Sequence, residues 1–458
     1  MKAKRLITVL PALGVAVLMA LMALTVLSPR AEAASPWFVD PAGNDANTCK
    51  AAGAANACLT IQAAINLAAG GDTINVAAGT YAELAAGPLG VNKTLTILGA
   101  QSGVDARTRV GLESIVTDSQ GTYITASNVV IDGFTFQDST NGAFTGYGVL
   151  IGTGTTGTNI LNNIIQDNII GIGLANAGPT QVLIQHNLIQ NNNEPGASSG
   201  TGIYTDQFVC GAPCSDFLID ENKFVGNGDA GIFISNTDLP NPLTNLDVSE
   251  NEFDMNGRAV GLINTDMSTI HDNTVTNSMF AASADIRIFD SVNDLTILNN
   301  DLSLGLGHGI RLSDFDFFDV GNPNPSSLVE IHQNNIVGYA LTGLTVDALS
   351  HTGSVDATCN WWGAKTGPTN AGNQYGTGDI VSGDAIFSPY LLSPAPGAPC
   401  GKQVGGIVVD PDISALALQS DSSSGTAGLL IAEVIAGAAA AAAVLGGGVW
   451  YARRRRIQ

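Results

Sequence analysis

The stretch VLIQHNLIQ, residues 182–190, sets apolar residues at Val182, Ile184 and Ile189 around one asparagine, Asn187. The same spacing, apolar-x-apolar-x-x-Asn-x-apolar, returns around Asn222, Asn251, Asn300 and Asn334, more weakly around Asn163 and Asn273, and at 129–136 with Phe134 in the asparagine place. Successive asparagines stand 24, 35, 29, 22, 27 and 34 residues apart. A variable period with short alternating segments is the mark of a solenoid. Each row carries a second alternating segment, among them GIYT at 202, GIFI at 231, DIRI at 285 and GIRL at 309. Alternation sends the first and third apolar residues inward and the one between outward. Three short strands per turn, stacked about 4.8 Å apart, make an all-β, right-handed parallel β-helix with one long aliphatic core. The asparagines then read as structural: at a bend Asn tolerates left-handed backbone, and its amide can bond its neighbour in the next turn.

The ends of the chain differ from its middle. Lys2, Lys4 and Arg5 precede an apolar run and the small-residue site Ala31-Glu32-Ala33, which reads as a signal peptide over 1–34. Residues 35–400 form the β-helix domain with its end caps, and 401–428 a polar linker. Residues 429–452 are long and apolar enough for a transmembrane helix. The basic tail 453–458, with Arg453 to Arg456, favours the cytoplasmic side. The expected location is therefore exported and anchored in the cell membrane, with the β-helix outside.

Between the two ends ten Lys or Arg face 38 Asp or Glu, and the whole chain carries −22. Nucleic acid and anionic lipid are poor partners for such a surface. Six cysteines fall in three near pairs, Cys49 with Cys58, Cys210 with Cys214 and Cys359 with Cys400. Six allow fifteen pairings; the local pairs are expected as disulfides in an exported protein, and a metal reading of Cys210 and Cys214 lacks a second ligand pair.

Two segments suit the ends of a solenoid. TIQAAINLAAGGD reads as an amphipathic capping helix with Thr60 as N-cap, Ile61, Ala64, Ile65 and Ala68 on one face, and Gly70 as its stop. CNWWGAKTGPTNAGN places Trp361 and Trp362 where they could cover the final turn, or alternatively bind a ligand. The run WFVDPAGNDANTCKAAGAANACLTIQAAINLAAGGDTINVAAGTYAE, residues 37–83, with the following LTILGA and the later CNWWGAKTGPT, resembles secreted bacterial proteins of the pectate-lyase-like right-handed β-helix superfamily. The resemblance spans roughly residues 37–400 and implies the fold. It does not fix an activity, because the superfamily includes lyases, hydrolases, epimerases and surface proteins.

Aligning the second strands predicts one outward column: Gly173, Tyr204, Phe233, Gly261, Arg287, Arg311 and Thr345. Tyr204 and Phe233 could stack on sugar rings, and Arg287 and Arg311 could grip carboxylates as forks. Asp285, Asp290, Asp314 and Asp316 lie nearby in sequence, so the competing reading is an internal ion-pair patch. A lyase would use His308 or Arg311 as base, with Asp285, Asp314 and Asp316 as candidate Ca²⁺ ligands. Asn264-Thr265-Asp266 and Gly307-His308-Gly309 resemble fragments of the superfamily's galacturonan hydrolases. The first follows its strand instead of leading it, a single Asp285 stands for an Asp pair, and no Arg-Ile-Lys exists. The expected function is a membrane-anchored surface protein binding an extracellular polysaccharide or surface glycan. Lyase or glycoside hydrolase action on a uronate-containing polysaccharide is the enzyme alternative, and a structural spacer or adhesin the third.

Overall fold

The computed structural model describes residues 36–83, 87–117, 120–141, 146–236, 240–313, 324–404 and 407–409. The signal segment, the apolar segment 429–452, the basic tail, most of the linker, and Asp314 and Asp316 lie outside the described residues. Among the described residues no helix is long and apolar enough to cross a membrane.

Three parallel sheets of thirteen, twelve and ten strands run the length of the domain, each taking one strand per turn in sequence order except at one end of the twelve-stranded sheet, where Gly378–Ser382 pairs with Leu344–Val346 and Pro368–Thr369 lies outermost. One turn consists of Ala177–Gln185, Leu188–Gln190 and Thr201–Thr205; the next repeats it with Ser215–Asp220, Lys223–Val225 and Ala230–Ser235. The opening stretch explains the first two strands. Val182, Ile184 and Ile189 are fully buried, while Leu183 between them faces outward and pairs in register with Leu218. Aliphatic columns fill the interior, joined by Phe224 stacked on Phe253 at 4.7 Å.

The predicted asparagine ladder is continuous from Asn163 through Asn187, Asn222, Asn251, Asn273, Asn300 and Asn334, and it runs one turn further to Asn360. Each amide oxygen accepts the backbone N–H of the preceding ladder residue as well as its side-chain N–H. The backbone detail differs from expectation. The left-handed residue is the one before each asparagine: His186, Glu221, Glu250, Asp272, Asn299 and Gln333 all have φ between 51° and 57°. One left-handed residue turns the chain, so the next side chain can point inward along the stack.

A second ladder, not foreseen, lies five residues on: Asn168, Asn192, Asn227 and Asn256, at the corner leading to the twelve-stranded sheet. The asparagine-x₄-asparagine spacing was its signal in the sequence. It ends where the corresponding positions become Ser278, Gly305 and Tyr339.

The helix is Ile61–Leu67, with Thr60 Oγ1 accepting from Ala63 N and with Ile61, Ala64 and Ile65 buried. It ends earlier than Gly70 because Ala68 is its C-cap and Lys93 Nζ donates to the carbonyls of Ile65, Asn66 and Ala68. All three local cysteine pairs are disulfides, which removes the metal reading of Cys210 and Cys214. Trp362 is fully buried and Trp361 half-buried, so burial of Trp362 fits covering the last turn better than presenting a ring to a ligand.

Candidate functional site

The outward column of the twelve-stranded sheet has the predicted register. Gly173 pairs with Tyr204, Tyr204 with Phe233, Phe233 with Gly261, Gly261 with Arg287, Arg287 with Arg311 and Arg311 with Thr345. Its two halves have different environments.

The aromatic half is largely a small second core. Tyr204 packs with Tyr147, Ile169 and Ile170, only 7 % exposed, and Phe233 stacks on it at 6.2 Å. The Tyr204 hydroxyl donates to Asp206, and burial, then that carboxylate, push its pKa upward. Tyr204 is therefore a structural ring, not an open platform. An exposed aromatic beside it is Phe208, 75 % exposed, on the loop that follows. Asp206 Oδ1 accepts from Phe208 N and Val209 N, Thr153 Oγ1 donates to the Val209 carbonyl, and the Cys210–Cys214 disulfide closes the loop. Sequence reasoning missed Phe208 because it searched strand faces; the tight cysteine pair after it was the available signal.

The basic half takes three arginines from successive turns, two of them, Arg258 and Arg287, against Phe289. Arg258 lies 5.3 to 5.7 Å from the Phe289, Phe280 and Phe233 rings and pairs with Asp229 at 3.0 Å. Arg287 sits 4.3 Å over Phe289, and Phe289 meets Phe233 edge-on at 5.7 Å. Arg311 donates from Nε and Nη2 to Asp347 Oδ2, at 2.9 and 2.7 Å. The ring contacts and ion pairs hold the guanidinium planes in place. Asp229, Asp347, Arg258 and Phe289 were not singled out from sequence, because none lies in the aligned column.

His308 begins the Arg311 strand and shares a hydrogen bond between Nδ1 and Thr342 Oγ1, 2.6 Å, beside Thr345 and Ser382. Burial and the charge of Arg311 push its pKa down to about 4, so the imidazole is neutral at neutral pH.

Asp285 stands elsewhere than expected. It is 1 % exposed, inside the solenoid, and accepts a hydrogen bond from the Tyr339 hydroxyl. Asp290 is also buried. The ion pairs of the strip come instead from Asp229 and Asp347, and no group of three or more His, Cys, Asp or Glu placed to hold a metal occurs among the described residues. The hydrolase-like fragments lie on different sheets: Thr265 and Asp266 belong to Thr265–His271 of the thirteen-stranded sheet, and His308 to His308–Leu312 of the twelve-stranded one. They do not form one site.

Residues 113–284 match the family described as the right handed beta helix region. The domain is a right-handed parallel β-helix. No curated protein matches the sequence. Among solved structures, this β-helix is similar to the A-module of a mannuronan C-5 epimerase of Azotobacter vinelandii, with 15 % identity, a TM-score of 0.41, and 72 % of this chain and 94 % of that one covered. It is also similar to the Dettilon tailspike protein, at 15 % identity, TM-score 0.48 and coverage of 71 % and 65 %. An alginate lyase matches at 15 % identity and TM-score 0.44, covering 74 % of this chain and 52 % of that one.

Proposed function

We propose that this β-helix is a glycan-binding surface protein, exported and anchored through the apolar segment 429–452, with the helix Ile61–Leu67 and the Trp362 region covering its two ends. The binding face is the strip of Arg287, Arg311 and His308 on the twelve-stranded sheet, with Phe208 on the loop after Thr201–Thr205 and Phe289 buried beneath Arg287. One observation carries the reading: Arg287 and Arg311 stand in register on adjacent turns of one face of a domain whose acids far outnumber its bases. Arg311 keeps N–H donors beyond the two it gives Asp347, so the two guanidinium groups present donor forks to the carboxylates of an anionic sugar chain lying along the stack. Phe208 offers an apolar face for a sugar ring.

Binding is favoured over cleavage by the carboxylates beside the strip. Asp229 and Asp347 are each engaged by an arginine, and glycoside hydrolysis needs two carboxyl groups flanking one bond. The test mixes the protein with neutral and acidic polysaccharides, with and without Ca²⁺, and follows affinity, polymer length and absorbance near 235 nm, about where an unsaturated product absorbs. Affinity without shortening is expected. Shortening that Arg311→Ala abolishes would replace binding by catalysis, and no affinity for any polymer would leave a spacer.

A further inference from the structure

The second asparagine ladder stops after Asn256, and what replaces it is chemically different. The next positions are Ser278, Gly305 and Tyr339, and Gly305 supplies no side chain. Asp285 fills the gap. It belongs to a buried column that is otherwise Gly171, Gly202, Gly231, Ala259, Gly309 and Gly343, so a carboxyl there has room only because the ladder amide is missing. A Cβ built on Gly305 would lie 3.0 Å from Asp285 Oδ1 and 2.7 Å from Tyr339 Cε1. Where each ladder asparagine offers its neighbours both donors and acceptors, an ionised carboxylate offers acceptors alone.

We propose that Asp285 is a proton-dependent tie: protonated, it substitutes for the missing ladder amide and closes the turn that presents Arg287 and Phe289; ionised, it favours local opening of that turn. The groups around it are few. The Tyr339 and Ser278 hydroxyls bond the carboxyl. Asp301 and Asp379, both acids, act on Tyr339 electrostatically, and Asp379 accepts from Gly338 N and Tyr339 N. On the adjoining strands Arg258 is directed to Asp229, Arg311 to Asp347 and His308 to Thr342. Burial pushes the Asp285 carboxyl up to about 7, against the two hydroxyls, which favour the ionised form. The sign follows: the open turn ionises near the ordinary value of about 3.9, the closed turn only near 7, so closure is strongest in acid and weakens as pH rises between the two.

The tie is tested without any ligand; only its consequence for binding rests on the function proposed above. Hydrogen exchange of the full chain, corrected for intrinsic rates, is followed from pH 4 to 8. Protection at 284–290 and 308–312 is expected to fall about tenfold per pH unit up to about 7 and then level off, while 215–235 stays flat. Asp285→Asn should abolish the fall, and Tyr339→Phe, which removes a bond to the ionised form, should move the levelling point to higher pH. Protection that is flat in the unmodified protein, or that falls equally in all turns, would overturn the proposal even if both variants fail to fold. If exchange behaves as expected and no glycan binds, the tie stands and the binding reading falls.

Discussion

Asn222 lies inside the first ladder, with a ladder asparagine on either side, and truncating it to alanine should cost about 4 kcal/mol. Its Oδ1 accepts from Asn187 N at 3.0 Å and from Asn187 Nδ2 at 2.9 Å, and its Nδ2 donates to Ile184 O, Asp220 O and Asn251 Oδ1 at 2.8 to 3.0 Å. The Asn251 oxygen keeps the Asn222 backbone N–H, and the Asn187 amide keeps its bonds to Ile160 O and Gln185 O. Two buried groups therefore lose their ladder partner: the Asn187 N–H and the Ile184 carbonyl. At roughly 1 to 3 kcal/mol per orphaned buried group, with the void left by the amide added, about 4 kcal/mol results. Gln166 is the control. It makes the same amide contacts between turns, to Gln137 at 3.1 Å and from Gln190 at 2.8 Å, on the half-exposed outer face. Water can replace those bonds, so Gln166→Ala should cost no more than about 1 kcal/mol. Urea midpoints, with hydrogen exchange to locate the loss, compare the two. Equal effects, or less than about 1 kcal/mol at Asn222, would refute the claim that burial makes the ladder stabilising.

Three further outcomes are expected. The Cys359–Cys400 disulfide spans 41 residues of sequence, so Cys359→Ser should lower stability by about 4 kcal/mol by the loop-entropy relation; denaturant midpoints with and without reductant check it. A Cβ on Gly202 would stand 2.6 Å from the Gly231 carbonyl oxygen, so Gly202→Ala should destabilise by roughly 1 to 3 kcal/mol, visible as a lowered Tm. His271 touches Asp272 and Asp247 at 2.7 and 3.0 Å; burial works against its imidazolium, but the two carboxylates win and raise its pKa. Its contribution is full below the ordinary value of about 6.5 and lost as pH rises through the raised one, so a Tm–pH curve should lose that component in His271→Gln.

The fold was legible because a solenoid writes its geometry into spacing. Val182, Ile184, Asn187 and Ile189 have the same neighbours in every turn, so one row predicts the next, and the outward column from Gly173 to Thr345 could be aligned before any coordinates. The site was less legible because its parts do not recur. Tyr204 alternates outward as expected, yet loops covered it. Asp285 shares the parity of the outward Arg287 yet is buried, at a position held elsewhere by glycine or alanine, and its room depends on the absent side chain of Gly305, 20 residues on in the next turn. Asp229 and Asp347 reach their arginines from bends 29 and 36 residues away, separations that only stacking brings together. Phe208 sits in a loop, where period-two reasoning is silent.

Titration calorimetry with an acidic polysaccharide tests most directly whether the basic strip holds an anionic glycan. The unmodified protein is compared with Arg287→Ala and with Lys223→Ala, whose residue pairs with Glu252 on the ten-stranded sheet. At least a tenfold rise in Kd is expected for Arg287→Ala, about 1.4 kcal/mol, and no change for Lys223→Ala. Equal affinity in all three proteins would contradict it.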